Sequence, residues 1–159
     1  MKKCLNCLLV LCLITVISCA GQERTDCMVL YVYDGDTMSV LTSSGDTLRV
    51  RFDGIDCPEK GMDYSFEAKW YMDSLAYSGP LTLGIMGIDR YGRTLAEVMV
   101  HDTISINLSL LERGLAWHYK NFNKDPRYAE AEHYARTNNI GLWADPQPVP
   151  PWEYRTWKR

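Results

Sequence analysis

Three short β-forming segments, a helix, two more β-forming segments and two closing helices predict an α+β fold, a β-barrel with helices. Five short strands with a helix after the third suit a small Greek-key barrel, a five-stranded OB-fold barrel with three helices. An antiparallel sandwich of the same strands is the alternative. The length, 159 residues, suits one domain with one core.

Met28 to Tyr33 is rich in β-formers and reads as the first strand, and Asp34-Gly35-Asp36 is a turn signal. Thr37 to Leu41 is the second strand, and Ser43-Ser44-Gly45-Asp46 closes a hairpin. Thr47 to Ile55 alternates, with Leu48, Val50 and Phe52 on one face and Arg49, Arg51 and Asp53 on the other. That is a half-buried strand whose arginines face outward or toward a site. Residues 64–76 fit a helix with Phe66, Trp70 and either Met62 or Asp73 along one stripe, ended by Gly79-Pro80. Leu81 to Ile88 and Leu95 to Val100 are the fourth and fifth strands, joined by Asp89-Arg90-Tyr91-Gly92-Arg93. Asn107 can cap a short helix through Arg113, with Gly114 at its stop. Asp125-Pro126 opens the third helix, through about Asn138, with an Asx cap followed by proline.

The ends read differently. Residues 1–18 have a signal peptide's pattern: Lys2 and Lys3, an apolar run from Leu8 to Ile17, then small residues. Such a run is half the length of about twenty residues that a membrane-crossing helix needs. Val16-Ile17-Ser18-Cys19 resembles a lipobox, which makes Cys19 the candidate for lipidation and a membrane anchor. Plain secretion and an uncleaved segment are the alternatives, and all three place the domain outside the cytoplasm. Residues 19–26 read as a tether, 27–145 as the folded domain, and the proline-rich, then aromatic and basic residues 146–159 as a surface tail.

The chain has 17 basic and 20 acidic residues. Loss of Lys2 and Lys3 leaves 15 against 20, or −5. Bulk charge alone thus argues against a polyanionic partner, and binding one would need a bound cation and clustered arginines. Of six cysteines, Cys27 and Cys57 remain after Cys4, Cys7, Cys12 and the lipidation candidate Cys19. The strand assignment puts that pair at opposite ends of the sheet, roughly 20 Å apart at about 3.3 Å per residue. A disulfide needs Cα atoms within about 7 Å, so none is expected.

Four segments place charge where a fold gains nothing from it. Asp34-Gly35-Asp36-Thr37 is either a solvated turn or a pair of carboxylates awaiting a cation. It is not the nucleophile motif of haloacid-dehalogenase-like phosphatases, which needs threonine where this chain has Met38. Arg51 precedes Asp56-Cys57-Pro58-Glu59, and in a three-strand meander Asp56 arrives beside Asp36, with Glu59 nearby. Converging carboxylate oxygens suit Ca²⁺. Asp89-Arg90-Tyr91-Gly92-Arg93 is a turn with two arginines, by itself an ordinary soluble turn, and Gly114-Leu115-Ala116-Trp117-His118-Tyr119 an aromatic-rich strand whose rings by themselves read as core.

Taken in order, these segments resemble the staphylococcal nuclease (thermonuclease) family over residues 28–143, with a further match in Pro150-Pro151-Trp152-Glu153. The resemblance implies a calcium-dependent nuclease with little sequence preference toward DNA or RNA, leaving a 3′-phosphate. It implies Arg51, Glu59 and Arg93 as catalytic residues, and Asp36 and Asp56 as calcium ligands. Cys57 stands where the family often has threonine and would give its backbone carbonyl; Glu59 joins the metal set directly or through a water. Arg90 and Tyr91 match positions that contact substrate phosphate, and Tyr119 is the candidate for one of two substrate-binding tyrosines. A cysteine at that position could also lend the loop redox sensitivity. A non-catalytic nucleic-acid-binding OB module is the rival reading. Such modules lack the arginines, glutamate or aspartates, all five of which are present here. A monomer is the default.

Overall fold

The structure, a computed structural model, describes residues 23–158. The signal-like segment 1–18 and Cys19 lie outside the described residues.

β1 (Glu23–Val32), β2 (Thr37–Thr42) and β3 (Thr47–Phe52) form an antiparallel meander. β5 (Leu81–Ile88) and β6 (Thr94–Val100) form the second hairpin. The first half of β1 pairs with β5, from Glu23↔Ile85 to Cys27↔Leu81, and its second half pairs with β2. β3 and β6 then run parallel, Val50 opposite Thr94 and Phe52 opposite Ala96, which closes a five-stranded barrel rather than a sandwich. The predicted tether is shorter than residues 19–26, because Glu23 to Asp26 already belong to β1. Their side chains are polar, but ladder pairing uses the backbone, which hydrophobic patterning does not report.

The barrel interior holds Met38, Val40, Val50, Phe52, Leu83, Ala96 and Val98, all essentially inaccessible. α1 (Ser65–Ala76) covers one end with Ala68, Met72 and Ala76. The predicted stripe is the wrong face: Phe66 is 74% and Trp70 63% exposed. The reason is a close approach, since a Cβ built on Gly35 would lie 2.8 Å from the Ala68 Cβ and 2.8 Å from the Cys57 Cβ. Only the small-residue face of α1 can come that near.

Ser105, in the two-residue β7 (Ile104–Ser105), caps α2 (Ile106–Glu112) by accepting from Leu108 N–H at 3.3 Å. Asn107, the expected cap, is instead fully buried. Its carboxamide accepts from Val98 N–H at 3.0 Å and donates to the carbonyls of Asp53 and Ala96. Asp125 caps α3 (Pro126–Thr137) as its sequence indicates, with proline at the start. Two short strands, β4 (Ile55–Asp56) and β8 (Trp117–His118), pair antiparallel beside the barrel. A 3₁₀ turn at Gly141–Ala144 follows, and Trp117, Ala135, Leu142 and Trp143 form a second small core.

A fourth helix, α4 (Pro151–Trp157), occupies the stretch predicted to be a tail. Three helices were expected; the fourth opens on Pro151 just as α3 opens on Pro126. Cys27 and Cys57 are both free thiols.

Candidate functional site

The three charged segments and the aromatic-rich one all reach the same rim. There a cleft of about 720 Å³ is lined by Asp36, Arg51, Asp56, Cys57 and Glu59 from the β1–β4 side. Arg90, Tyr91 and Arg93 line it from the β5–β6 turn, and Tyr119 from the segment after β8. All nine residues selected from the sequence therefore share one cavity, and Arg155 of α4 joins them.

Local folding explains each placement. The Asp34 carboxylate accepts from Asp36 N–H at 3.1 Å, an Asx turn that closes the β1–β2 connection. Asp36 is thereby turned inward; its Oδ2 accepts from Cys57 N–H at 2.6 Å, tying the β1–β2 turn to the loop after β4. Arg51 projects from the outer face of β3 and makes ion pairs through one nitrogen to Asp36 and through the other to Asp56, the latter at 2.8 Å. Asp56 is only 2% exposed. Burial works against the charge on Arg51, but Asp36 and Asp56 outweigh it and hold the guanidinium firmly protonated.

On the far side, Asp89 organises the β5–β6 turn. Its Oδ1 accepts from Tyr91 N–H at 2.8 Å and Arg93 N–H at 2.9 Å, and its Oδ2 receives Arg93 Nε at 2.7 Å. Arg93 is thus aimed by a carboxylate while remaining partly accessible. Tyr91 is 70% exposed, with the Arg90 guanidinium 5.0 Å from its ring centre. Tyr119 donates its N–H to Gly54 carbonyl at 2.8 Å, and its ring stacks on Trp152 of α4 at 5.5 Å and 8°.

The carboxylates do not meet as the open cluster that the sequence suggested. Among the described residues, no three Asp, Glu, His or Cys side chains converge as a metal-binding group. Guanidinium groups stand between them: Arg51 links Asp36 to Asp56, and Arg155 links Asp56 to Glu59. The reason is electrostatic, since like charges brought together at a poorly hydrated rim require counter-charge.

The lining nevertheless fits a divalent cation. It carries six carboxylates (Asp34, Asp36, Asp53, Asp56, Glu59 and Asp89) and four arginines (Arg51, Arg90, Arg93 and Arg155), an excess of two negative charges. The excess is felt locally: burial and then the charge of Asp36 push the Asp34 carboxyl up to about 6. Asp56 is also raised, chiefly by burial, in spite of its two arginine partners. Hard carboxylate oxygens with unneutralised charge are the donor chemistry Ca²⁺ takes.

Cys57 is buried, and burial pushes its thiol well above the ordinary thiol range. A protonated, inaccessible sulfur is inert, which speaks against the redox-sensitive loop considered from the sequence. Sequence reasoning missed Arg155, although the proline that opens α4 was a signal of the kind already used for α3.

Barrel and cleft together define an OB-fold scaffold with a charged cleft at its rim. The family model described as staphylococcal nuclease homologue matches residues 49–145. A Haemophilus influenzae protein named "Uncharacterized endonuclease" is 38% identical over 145 residues, covering 91% of this chain and 81% of its own. An Escherichia coli O157:H7 protein of the same name is 39% identical over 127 residues, covering 80% of this chain and 82% of its own. A Shigella flexneri protein named "Micrococcal nuclease" is 34% identical over 137 residues, covering 80% of this chain and 78% of its own. The chain belongs to the staphylococcal nuclease homologue family.

Proposed function

We propose that this chain is a calcium-dependent nuclease that hydrolyses phosphodiester bonds of DNA or RNA with little regard to sequence. The observation that carries this reading is the shared cleft, in which two arginines from separate elements and a glutamate surround a carboxylate-rich, net-negative floor.

The residues divide the work. Calcium, held by Asp36 and Asp56 with the Cys57 carbonyl and directly or through a water by Glu59, would supply Lewis acidity and a template for substrate and water. Glu59 accepts the proton of the attacking water as that oxygen bonds to phosphorus; the bond to the 5′ oxygen breaks, and that oxygen takes a proton from solvent water to leave as a hydroxyl. General-base help of this kind is worth about 10²–10⁴-fold. Arg51 and Arg93 donate paired, permanently charged hydrogen bonds to the phosphoryl oxygens on which charge accumulates. Arg90 and Tyr91, at the exposed tip of the β5–β6 turn, hold flanking phosphate, and Tyr119 supports a base at the cleft wall. Contacts to phosphate and base faces rather than base edges give broad substrate use.

The negative net charge makes the cation a condition for substrate approach as well as for chemistry. We read residues 1–18 as an export signal and Cys19 as the lipidated N-terminus of the mature chain, a reading that puts a monomeric enzyme outside the cytoplasm. Mass spectrometry of the mature N-terminus tests the anchor. The function is tested by incubating the mature chain with plasmid DNA and with RNA, in calcium and in chelator. Cleavage in calcium that stops in chelator is expected; retention of uncut nucleic acid on the protein in millimolar calcium would make it a binding module.

A further inference from the structure

α4 brings to the cleft a guanidinium group for which no motif accounts. The helix is fixed by apolar contacts: Pro151 is buried, and Trp152 meets Trp117 edge-on at 5.5 Å while stacking on Tyr119. One turn later, Arg155 reaches back over the rim. Its Nη2 lies 2.8 Å from Asp56 Oδ2, and its Nη1 lies 3.3 Å from Asp56 Oδ1 and 2.6 Å from Glu59 Oε1. One planar fork thus grips the buried aspartate with both arms and the glutamate with one.

We propose that Arg155 is a positioning residue of the nuclease site, holding Glu59 and Asp56 in register, and that α4 is a working part of that site. This inference rests on the nuclease reading above. Glu59 sits on a loop with its side chain 41% exposed, and among the described residues Arg155 is the partner of its carboxylate. Left alone, such a side chain samples several rotamers, whereas a general base must lie within about 3 Å of the proton it takes. Arg155 engages Oε1 and leaves Oε2 outside the ion pair. Asp56 is held from its other side by Arg51, so Arg51, Asp56, Arg155 and Glu59 form one line of alternating charge.

Two rival roles fit less well. A displaceable latch over the base would call for weak docking, yet α4 is seated on two aromatic side chains. A third phosphate ligand would have to give up the bonds of both terminal nitrogens to Asp56 and Glu59, and so free the base from its partner.

The test compares the whole mature chain with its Arg155→Ala and Arg155→Lys variants on a short oligonucleotide at saturating calcium. For Arg155→Ala, kcat falls about 10- to 100-fold, the range for loss of an orienting partner, while KM stays within about twofold. Arg155→Lys recovers only part, because one ammonium cannot bridge both carboxylates. Thermal melts in chelator and in calcium provide a readout apart from turnover, and both variants should melt cooperatively and keep the calcium-induced rise. If Arg155→Ala does not fold, a lowered kcat in a normally melting Arg155→Lys carries the test. An unchanged kcat overturns the proposal, as does a raised one, which marks a latch, or a loss confined to KM, which marks a phosphate ligand. Loss of the calcium-induced rise in a folded variant overturns it too. A wild-type chain that cuts nothing sinks the nuclease reading, and the inference with it; a wild type that cuts while Arg155→Ala cuts equally well sinks the inference alone.

Discussion

Glu59 and Arg93 sit at the mouth of the cleft and contribute little to the core, so their replacement should separate chemistry from folding. Glu59→Gln removes the proton acceptor and is expected to lower kcat by about 10²–10⁴-fold. Arg93→Ala removes charge stabilisation of the reacting phosphate, for a loss of about 10²–10³-fold. Melting temperatures should barely move, because the ion pairs lost are partly exposed and worth about 0–1 kcal/mol each. Near-normal turnover in either variant at saturating calcium would show that these roles are misassigned. Cys57 makes the opposite case: its N–H fixes Asp36, but its sulfur is buried and protonated. Cys57→Thr should therefore cut nucleic acid at a rate within a few-fold of wild type; a dead but folded variant would mean that the thiol itself acts. These side chains were legible through the order of their segments, which resembles the family's; taken singly, each was an ordinary turn charge. Arg155 was not, because a single arginine in a seven-residue helix carries no periodicity, and its meaning lies in what it touches.

At the scale of elements, strands were easier to read than helix faces. Alternation in Thr47–Phe52 reports directly which side is buried, and Val50 and Phe52 are indeed inside. α1 misled because its large apolar residues point outward, while the packing face is set by the close approach of Gly35. The placement of β8 depends on a contact that no local pattern encodes: Glu132 of α3 accepts from His118 N–H at 3.2 Å and pairs with Lys120 at 2.8 Å. Burial alone would raise the Glu132 carboxyl, but the bonds from Lys120 and His118 and the charge of Arg136 outweigh it and hold it below its ordinary 4.5. A carboxylate lowered on folding stabilises the protein above its unfolded value and loses that contribution as pH falls through the folded one. Glu132→Gln should thus cost about 1–3 kcal/mol at pH 7. The gap to wild type should narrow as pH falls below 4.5 and through the lowered folded value, as measured by urea denaturation across that range. A gap independent of pH would assign the effect to packing instead.

The molecule as a whole is a barrel whose rim stores unbalanced negative charge, and that storage should show in its response to calcium and pH. Asp34, raised on folding from 3.8 to about 6, lends the fold stability at low pH that is lost as pH climbs through about 6. A cation that relieves the same repulsion has more to relieve at neutral pH. The rise in melting temperature caused by calcium should therefore grow between pH 4 and pH 7, and a rise of constant size would argue that the ion binds elsewhere. Topology at this scale was legible from strand count and order, but the closing pair was not, since β3 and β6 share no local signal. That parallel seam also governs time. Val50 meets Thr94 from 44 positions away, and pairings so distant place folding in the millisecond-to-second range. Until residues near 96 have been synthesised, β3 remains a bare strand edge, open to mispairing with neighbouring chains. The same delay leaves the newborn polypeptide without its closed barrel, and therefore easier to thread or degrade, for as long as the ring stays open.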